Sequence, residues 1–410
     1  MSLRLLFLLL ASATTTQALT LDLSAVAERV RRQHPSLKAA RFVVEEARGR
    51  QQGAGRLSNP TFETSFQNES RVSPRATVFS LDQAFPVTRR LSLEKRLTAQ
   101  LVQAAELEVH DVERRYIAEA RTLAVKLLAV DQHLIQHRQQ MELAQKLSAF
   151  AKDRAAKGEL SILDSAQAQV DQQRLLLETR KLETERISLR GSLKPMLGLE
   201  AKDDLSISGD LKATQLPATG AWQQRPDYRL ALTKTEVAQT EARLAQAKRW
   251  QDVSAGFFAA REQQDVTPRH TERTGFVGFR ISIPLPLWNR NQGEIAEKAA
   301  SAERARLEKE ALAVQITSEA STARQEMEAN AALLRETRDQ FLPLVIEQTT
   351  KLEKAYEAGQ TDLLTVLRAR DQRLELESGA LDAARDFHLA RIRYEAATGM
   401  TNHEGMSKSK

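Results

Sequence analysis

The stretch GFVGFRISIPLPL, residues 275–287, decides the fold. Val277, Phe279, Ile281 and Ile283 fall on one face, and Phe276, Gly278, Arg280 and Ser282 on the other. Alternation at period two is the mark of a β-strand with unlike faces. Three further segments carry the same period: TFETSFQNE (61–69), ATVFSLDQAF (76–85) and DVSAGFFAARE (252–262). Asn59-Pro60, Phe85-Pro86 and Ile283-Pro284 bound these segments, as proline does at strand ends. Each is about 9–11 residues long, the length of a tilted strand that crosses a bilayer. The connections at 70–75 and 263–274 are polar and contain proline, which suits exposed loops. The pattern alone also permits two soluble hairpins, because each membrane strand carries a weak signal.

Four strands do not close. An open sheet in lipid leaves two rows of backbone groups without partners, which hydrocarbon does not tolerate. If the strands are in the membrane, the chain therefore oligomerises. Three copies give twelve strands, an even number in the ordinary range for membrane barrels.

Outside the strands the period changes. Tyr116, Ala120, Leu123, Leu127, Val130 and Leu134 step by three and four residues, and Leu175, Leu182, Leu189 and Met196 recur every seven, as do Leu367, Leu374 and Leu381. Such seams belong to long helices packed as in coiled coils. Residues 89–156 contain neither Gly nor Pro. At 1.5 Å per residue that run makes a helix roughly 100 Å long. A second run, 294–357, is interrupted only by Pro343. Helices of this length occur in coiled-coil rods and in hollow helical barrels.

The two halves echo each other. HPSLKAARFVVEEARGRQ from His34 aligns with RPDYRLALTKTEVAQTEA from Arg225, Phe66 with Phe257, AAKGELSILDSAQA with YEAGQTDLLTVLRA, and Gly198 with Gly399. Order is kept while the offset grows, so two copies of one unit are the simplest account. The expected organisation is a signal peptide at 1–18, a first repeat at 19–220, a second at 221–400 and a disordered tail at 401–410.

Composition agrees. Of 410 residues, 16 are Gly and 11 Pro, aromatics are 5% and charged residues 28%, a profile of long amphipathic helices. With no Cys, disulfides and thiolate-bound metal are excluded. The net charge of +6 is spread along the chain without a basic block, so nucleic acid is not an expected partner. Arg4, the apolar LLFLLL of residues 5–10, and Thr16 and Ala18 at the −3 and −1 positions read as a secretory signal cut after Ala18. No later stretch has the roughly 18 consecutive apolar residues of a transmembrane helix.

At this point the residues resemble a known family. LTLDLSAVAERVRRQHPSLKAA (19–40), GFRISIPLPLWNRNQGEIAEKAA (278–300) and AYEAGQTDLLTVLRARDQRLELE (355–377) are similar to TolC-like outer-membrane efflux proteins. The second of these resembles the cation-efflux (CzcC/CusC-like) branch. The resemblance implies a mainly α protein with a membrane β-barrel: a long α-helical barrel plus four strands per protomer, closed as a homotrimer into a 12-stranded barrel in the outer membrane of a Gram-negative bacterium. It also implies a tunnel in the periplasm, a periplasmic adaptor and an inner-membrane, proton-driven pump of the RND type. The implied function is a passive exit duct for heavy-metal cations. Drugs, other organic cargo or type I secretion are the alternatives within the family. Many relatives carry a lipidated N-terminal Cys, which this chain lacks. A rival of another class is a secreted coiled-coil scaffold or the adaptor itself, which would have one lipoyl-like β-domain instead of two equivalent strand pairs.

Two turns stand out. Arg154, Gly158, Leu160 and Ser161 break one helical seam, and Tyr356, Gly359, Thr361 and Asp362 break the other. Glycine permits the left-handed residue that ends a helix, and Ser161 or Thr361 is suited to cap the next one. By resemblance these turns are the periplasmic end that meets the adaptor. Where some relatives have acidic constricting rings, this chain has Thr365 and Arg368, with Asp371 nearby. His133 and His137 are the only histidines at i, i+4, without an evident third ligand, and read as a solvated face. Gly53-Ala54-Gly55 lacks the rest of a phosphate loop. No catalytic motif, cofactor or metal site is expected. Val277, Phe279, Ile281 and Ile283 are expected to face lipid.

Overall fold

A computed structural model describes residues 19–68, 75–211, 215–218, 220–267 and 270–400. The signal-peptide and tail readings, and the 70–75 loop apart from Arg75, lie outside the described residues. The elements are β1 (Leu19–Asp22), α1 (Val26–Gln33), α2 (Pro35–Gly53), β2 (Thr61–Asn68), β3 (Arg75–Phe85), α3 (Arg90–Ala156), α4 (Ile162–Met196), β4 (Leu205–Ser208), α5 (Pro226–Ala247), β5 (Val253–Thr267), β6 (His270–Ser282), α6 (Gln292–Glu336), α7 (Leu342–Glu357) and α8 (Leu363–Thr398). The order helix, two strands, long helices thus occurs twice.

The chain divides into two compact units. One comprises residues 40–110 and 226–314, the other 1–39, 111–225 and 315–410. Each draws on both halves of the sequence.

The first unit holds an antiparallel sheet in the order β2-β3-β5-β6. β2 and β3 end within a residue of the expected bounds. β5 and β6 do not: they extend to Thr267 and from His270, so most of the polar stretch read as a loop at 263–274 is paired strand. The polarity that suggested a loop does not prevent pairing, because the ladder bonds are made by backbone groups whatever the side chain. At the other end β6 stops at Ser282, short of the expected 287. Pro284 and Pro286 have no N–H to give a ladder. Ile283 therefore lies one residue past the strand.

The second unit is helical, with one small sheet. Its largest cluster joins Val26 and Val30 of α1, Ile117, Leu127 and Leu128 of α3, and Leu193 with Leu197. The sequence reading missed β1 and β4, which pair in parallel from Leu19↔Leu205 to Asp22↔Ser208. Leu205 and Ile207 of β4 are buried in that cluster, and this contact makes so short a strand stable. A second cluster packs Met327 of α6 on Phe387 and Tyr394 of α8.

The expected interruption at Pro343 is present, but it takes a definite form. Residues Thr337–Phe341 form a π-helical turn between α6 and α7. Proline lacks the N–H for the usual helical bond and its ring crowds the carbonyl four residues back. Widening the preceding turn keeps the helix going past it.

Candidate functional site

Two surfaces carry the residues singled out from the sequence. The first is the sheet. The register sets Phe62 opposite Leu81, Leu81 opposite Phe257, and Phe257 opposite Phe279. One face therefore carries a row across all four strands, flanked by Phe66, Phe79, Val277 and Ile281. All eight are exposed; Val277 shows 84% of its surface. Phe257 and Phe279 meet edge to face at 5.3 Å.

The opposite face is of another character. Arg280 of β6 reaches across to Asp82 of β3 at 3.3 Å. Its guanidinium also lies 6.0 Å from the Phe258 ring. Phe258 lies over Gly278, its cross-strand partner, where any Cβ would collide with the ring. The sheet is thus apolar on one side and carries an ion pair on the other. β2 and β6 are edges that no other strand of the chain covers among the described residues.

The second surface is the pair of turns, both in the helical unit. At the first, Gly158 takes φ +76°, and the Glu159 N–H donates to the Arg154 carbonyl at 2.9 Å. Arg154 also pairs with the Glu159 carboxylate and lies 5.2 Å over the Phe150 ring. At the second, Gly359 takes φ +71°, and the Gln360 N–H donates to the Ala355 carbonyl at 2.8 Å. The turns pack together. Leu147, Ala151 and Ala168 meet Leu363 and Leu367, with Leu160 and Tyr356 at the margin. Phe150 and Tyr356 meet edge to face at 5.9 Å. Burial, then the nearby Asp164 carboxylate, raises the Tyr356 phenol above its ordinary value.

The caps correct one expectation. Ser161 caps α4, its hydroxyl accepting from the Leu163 N–H at 3.2 Å. Thr361 does not cap α8. Asp362 does: its carboxylate accepts from the Thr365 N–H at 2.8 Å and from the Thr365 hydroxyl at 2.9 Å. Those bonds, the backbone one first, hold the Asp362 carboxyl below its usual range. The signal was in the sequence, since the 201-residue offset from Gly158 to Gly359 carries Ser161 to Asp362. The two carboxylate oxygens of Asp362 divide the work, Oδ1 accepting from the Thr365 N–H and Oδ2 from its hydroxyl.

Of the constriction candidates, Thr365 is spent on that cap and Arg368 is exposed. Asp371 accepts from Arg174 of α4 at 2.5 Å, and the same guanidinium binds Asp171 at 2.8 Å.

His133 and His137 are not solvated; both are buried, which corrects the reading of that face. They line a cavity of about 600 Å³ with Glu185, Asp382, Arg385 and Asp386. His133 Nε2 lies 3.3 Å from the Asp382 carboxylate. Burial, opposed by Glu178, pushes the His137 imidazole below its ordinary pKa. Among the described residues no group of three His, Asp or Glu side chains is placed to hold a metal ion. No described helix is long and apolar enough to cross a membrane.

Comparison with known proteins follows the same lines. No protein-family model matches the chain. A cobalt-zinc-cadmium resistance protein, CzcC of Cupriavidus metallidurans, is 23% identical over 265 residues, which is 63% of this chain and 58% of that protein. A crystal structure of CusC, described with its transmembrane channel formation, superposes with a TM-score of 0.76 at 15% identity over 92% of this chain and 91% of that one. The outer membrane protein VceC of Vibrio cholerae gives 0.73 at 17% identity, over 92% and 96%. None of these names describes an enzyme. The chain thus has the fold of the TolC-like outer-membrane efflux proteins, and its sequence resembles the cation-efflux branch of that family.

Proposed function

We propose that the chain is the outer-membrane exit duct of a tripartite efflux system and that its cargo is heavy-metal cations. The observation that carries this is the sheet: four strands, an exposed apolar face, an ion-paired opposite face and two open edges. Lipid is the solvent that suits the first face and water the second. In hydrocarbon the edges must pair, and pairing β6 of one copy with β2 of the next keeps the antiparallel order. Three copies then close a 12-stranded barrel, each contributing both halves of a duplicated unit. Val277, Phe279 and Ile281 face acyl chains, with Ile283 at the margin.

The long helices lie on the periplasmic side, and the turns around Gly158 and Gly359 form the end that meets a periplasmic adaptor. Through the adaptor the duct serves an inner-membrane pump of the RND type. At that end the Asp362 carboxylate is engaged in its cap and Asp371 is paired with Arg174. Arg368 is exposed there as well, and no ion pair engages it among the described residues.

The cargo assignment rests on the likeness to the cobalt-zinc-cadmium resistance protein and on the 278–300 segment. The described residues do not gather a ligand cluster, and a wide aqueous duct does not need one. Conduction is served by sites weak enough to release the ion, and selection belongs to the pump. The test is growth of a deletion strain, with and without the gene restored, on graded zinc, cobalt, cadmium, copper and silver salts and on a panel of drugs and dyes. Metal sensitivity reversed by the gene is expected. Sensitivity to organic compounds alone replaces the metal reading with drug efflux and leaves the duct standing.

A further inference from the structure

At one rim of the sheet the chain carries a second chemistry that the duct reading leaves unused. The residues preceding β2 and β5 and following β3 and β6 all lie at this rim, as the register Phe85↔Val253 and Ser254↔Ser282 requires. It is the rim at which the sheet joins α2, α3, α5 and α6. Past the strand ends the apolar residues continue, and they are exposed: Leu57, Val87, Trp250, Leu285, Leu287 and Trp288. Trp288 shows 89% of its surface and Trp250 47%.

Each of the four segments also carries an exposed arginine: Arg56 next to Leu57, Arg89 two residues from Val87, Arg249 next to Trp250, and Arg290 two residues from Trp288. All four are exposed, and none makes an ion pair among the described residues. The other two cations of the rim are neutralised. Arg90 binds Asp252 at 2.6 Å, and Lys248 lies 3.4 Å from Glu294. Segments 54–60, 83–91, 246–251 and 283–293 contain no carboxylate at all. The rim is thus a line of exposed tryptophan and leucine with a surplus of four unpaired guanidinium groups per chain.

Tryptophan at the edge of an apolar band sits at the level of lipid headgroups, its ring in the apolar zone and its N–H in the polar one. Arginine buries its methylenes along the same surface and carries its head to the polar layer. There the guanidinium meets phosphate, whose oxygens match its paired donors. We propose that this rim binds the anionic phospholipid headgroups of the periplasmic leaflet, through Arg56, Arg89, Arg249 and Arg290, with Trp250 and Trp288 setting the depth. The proposal rests on the outer-membrane reading above. Its grounds are charge complementarity and the continuity of the rim with the apolar face of the sheet.

The test uses the full chain with Trp222→Phe, so that only Trp250 and Trp288 emit. It is reconstituted into vesicles of equimolar phosphatidylcholine and phosphatidylglycerol in which one lipid or the other is brominated. Quenching of the two tryptophans gives the relative association of each lipid with the rim. Preference for phosphatidylglycerol by about fivefold at low salt is expected, the effect of one arginine near an anionic surface, and it falls as salt rises. Changing all four arginines to glutamine is expected to bring the ratio to one while quenching by brominated phosphatidylcholine persists. Equal quenching by both lipids in the parent overturns the proposal, as does a preference that survives the four substitutions or tryptophans that neither lipid quenches. Failure of the chain to float with vesicles at all instead overturns the outer-membrane reading, so the two failures are told apart.

Discussion

Asp362 and Thr361 are neighbours in one turn, yet only Asp362 meets the exposed amides of α8. Replacing Asp362 by alanine removes the acceptor for the Thr365 N–H and lowers the thermal midpoint, whereas Thr361→Ala leaves it unchanged. The pH dependence has a definite sign. The folded carboxyl lies below the ordinary aspartate value of 3.8, so its contribution is complete above that value and is lost as pH falls through the lower, folded one. Thermal melts of parent and Asp362→Ala therefore separate at neutral pH and converge in acid below 3.8. A gap that persists in acid removes the carboxylate from the account. At Gly158 and Gly359 the backbone sets the residue directly, since φ of +76° and +71° suits glycine and strains any side chain.

At the scale of the element, the sheet is a two-faced strip whose faces are set by register. Phe279 pairs with Phe257 on the apolar face, and Arg280, one residue on, bonds to Asp82 on the other. Phe279→Arg is expected to cost about 2–4 kcal/mol if the site lies near the bilayer midplane. The readout is the yield of assembled protein in membranes, compared with Arg280→Phe. Greater harm from Arg280→Phe reverses the assignment of faces. The long helices obey a simpler rule. α3 runs 67 residues because nothing in its sequence stops it, and its end at Ala156 comes just before the first glycine of the turn. Between α6 and α7 proline replaces one α-turn with a π-turn and the helical path continues.

For the whole molecule, the open edges of β2 and β6 are the feature one chain cannot resolve. A closed trimer resolves them, because every strand then has a neighbour on both sides. Detergent extracts of outer membranes run without boiling should give a band at three times the mass of the processed chain, which collapses to one on heating. A single unshifted band in the soluble fraction supports instead a scaffold or adaptor with two soluble hairpins.

The four strands of the larger sheet, the long helices and both reversing turns were legible in the sequence alone. Each depends on local chemistry: period two in 275–283, the glycine-free run to Ala156, and Gly158 and Gly359 at the same point of two similar segments. The sequence did not determine where β5 and β6 end, because pairing of Gln263 with Arg273 or Asp265 with Thr271 depends on a neighbour strand and not on either residue's polarity. Nor did it reveal β1 and β4, four-residue strands that exist through burial of Leu205 and Ile207 against α1 and α3. The ion pair from Arg280 to Asp82 spans 198 residues, and the Asp371 to Arg174 pair spans 197. His133 and His137 looked solvent-facing by spacing, and only the packing of α4 and α8 against α3 buries them. Contacts between residues so far apart in the chain are chosen by how the elements pack, and that choice belongs to the tertiary structure.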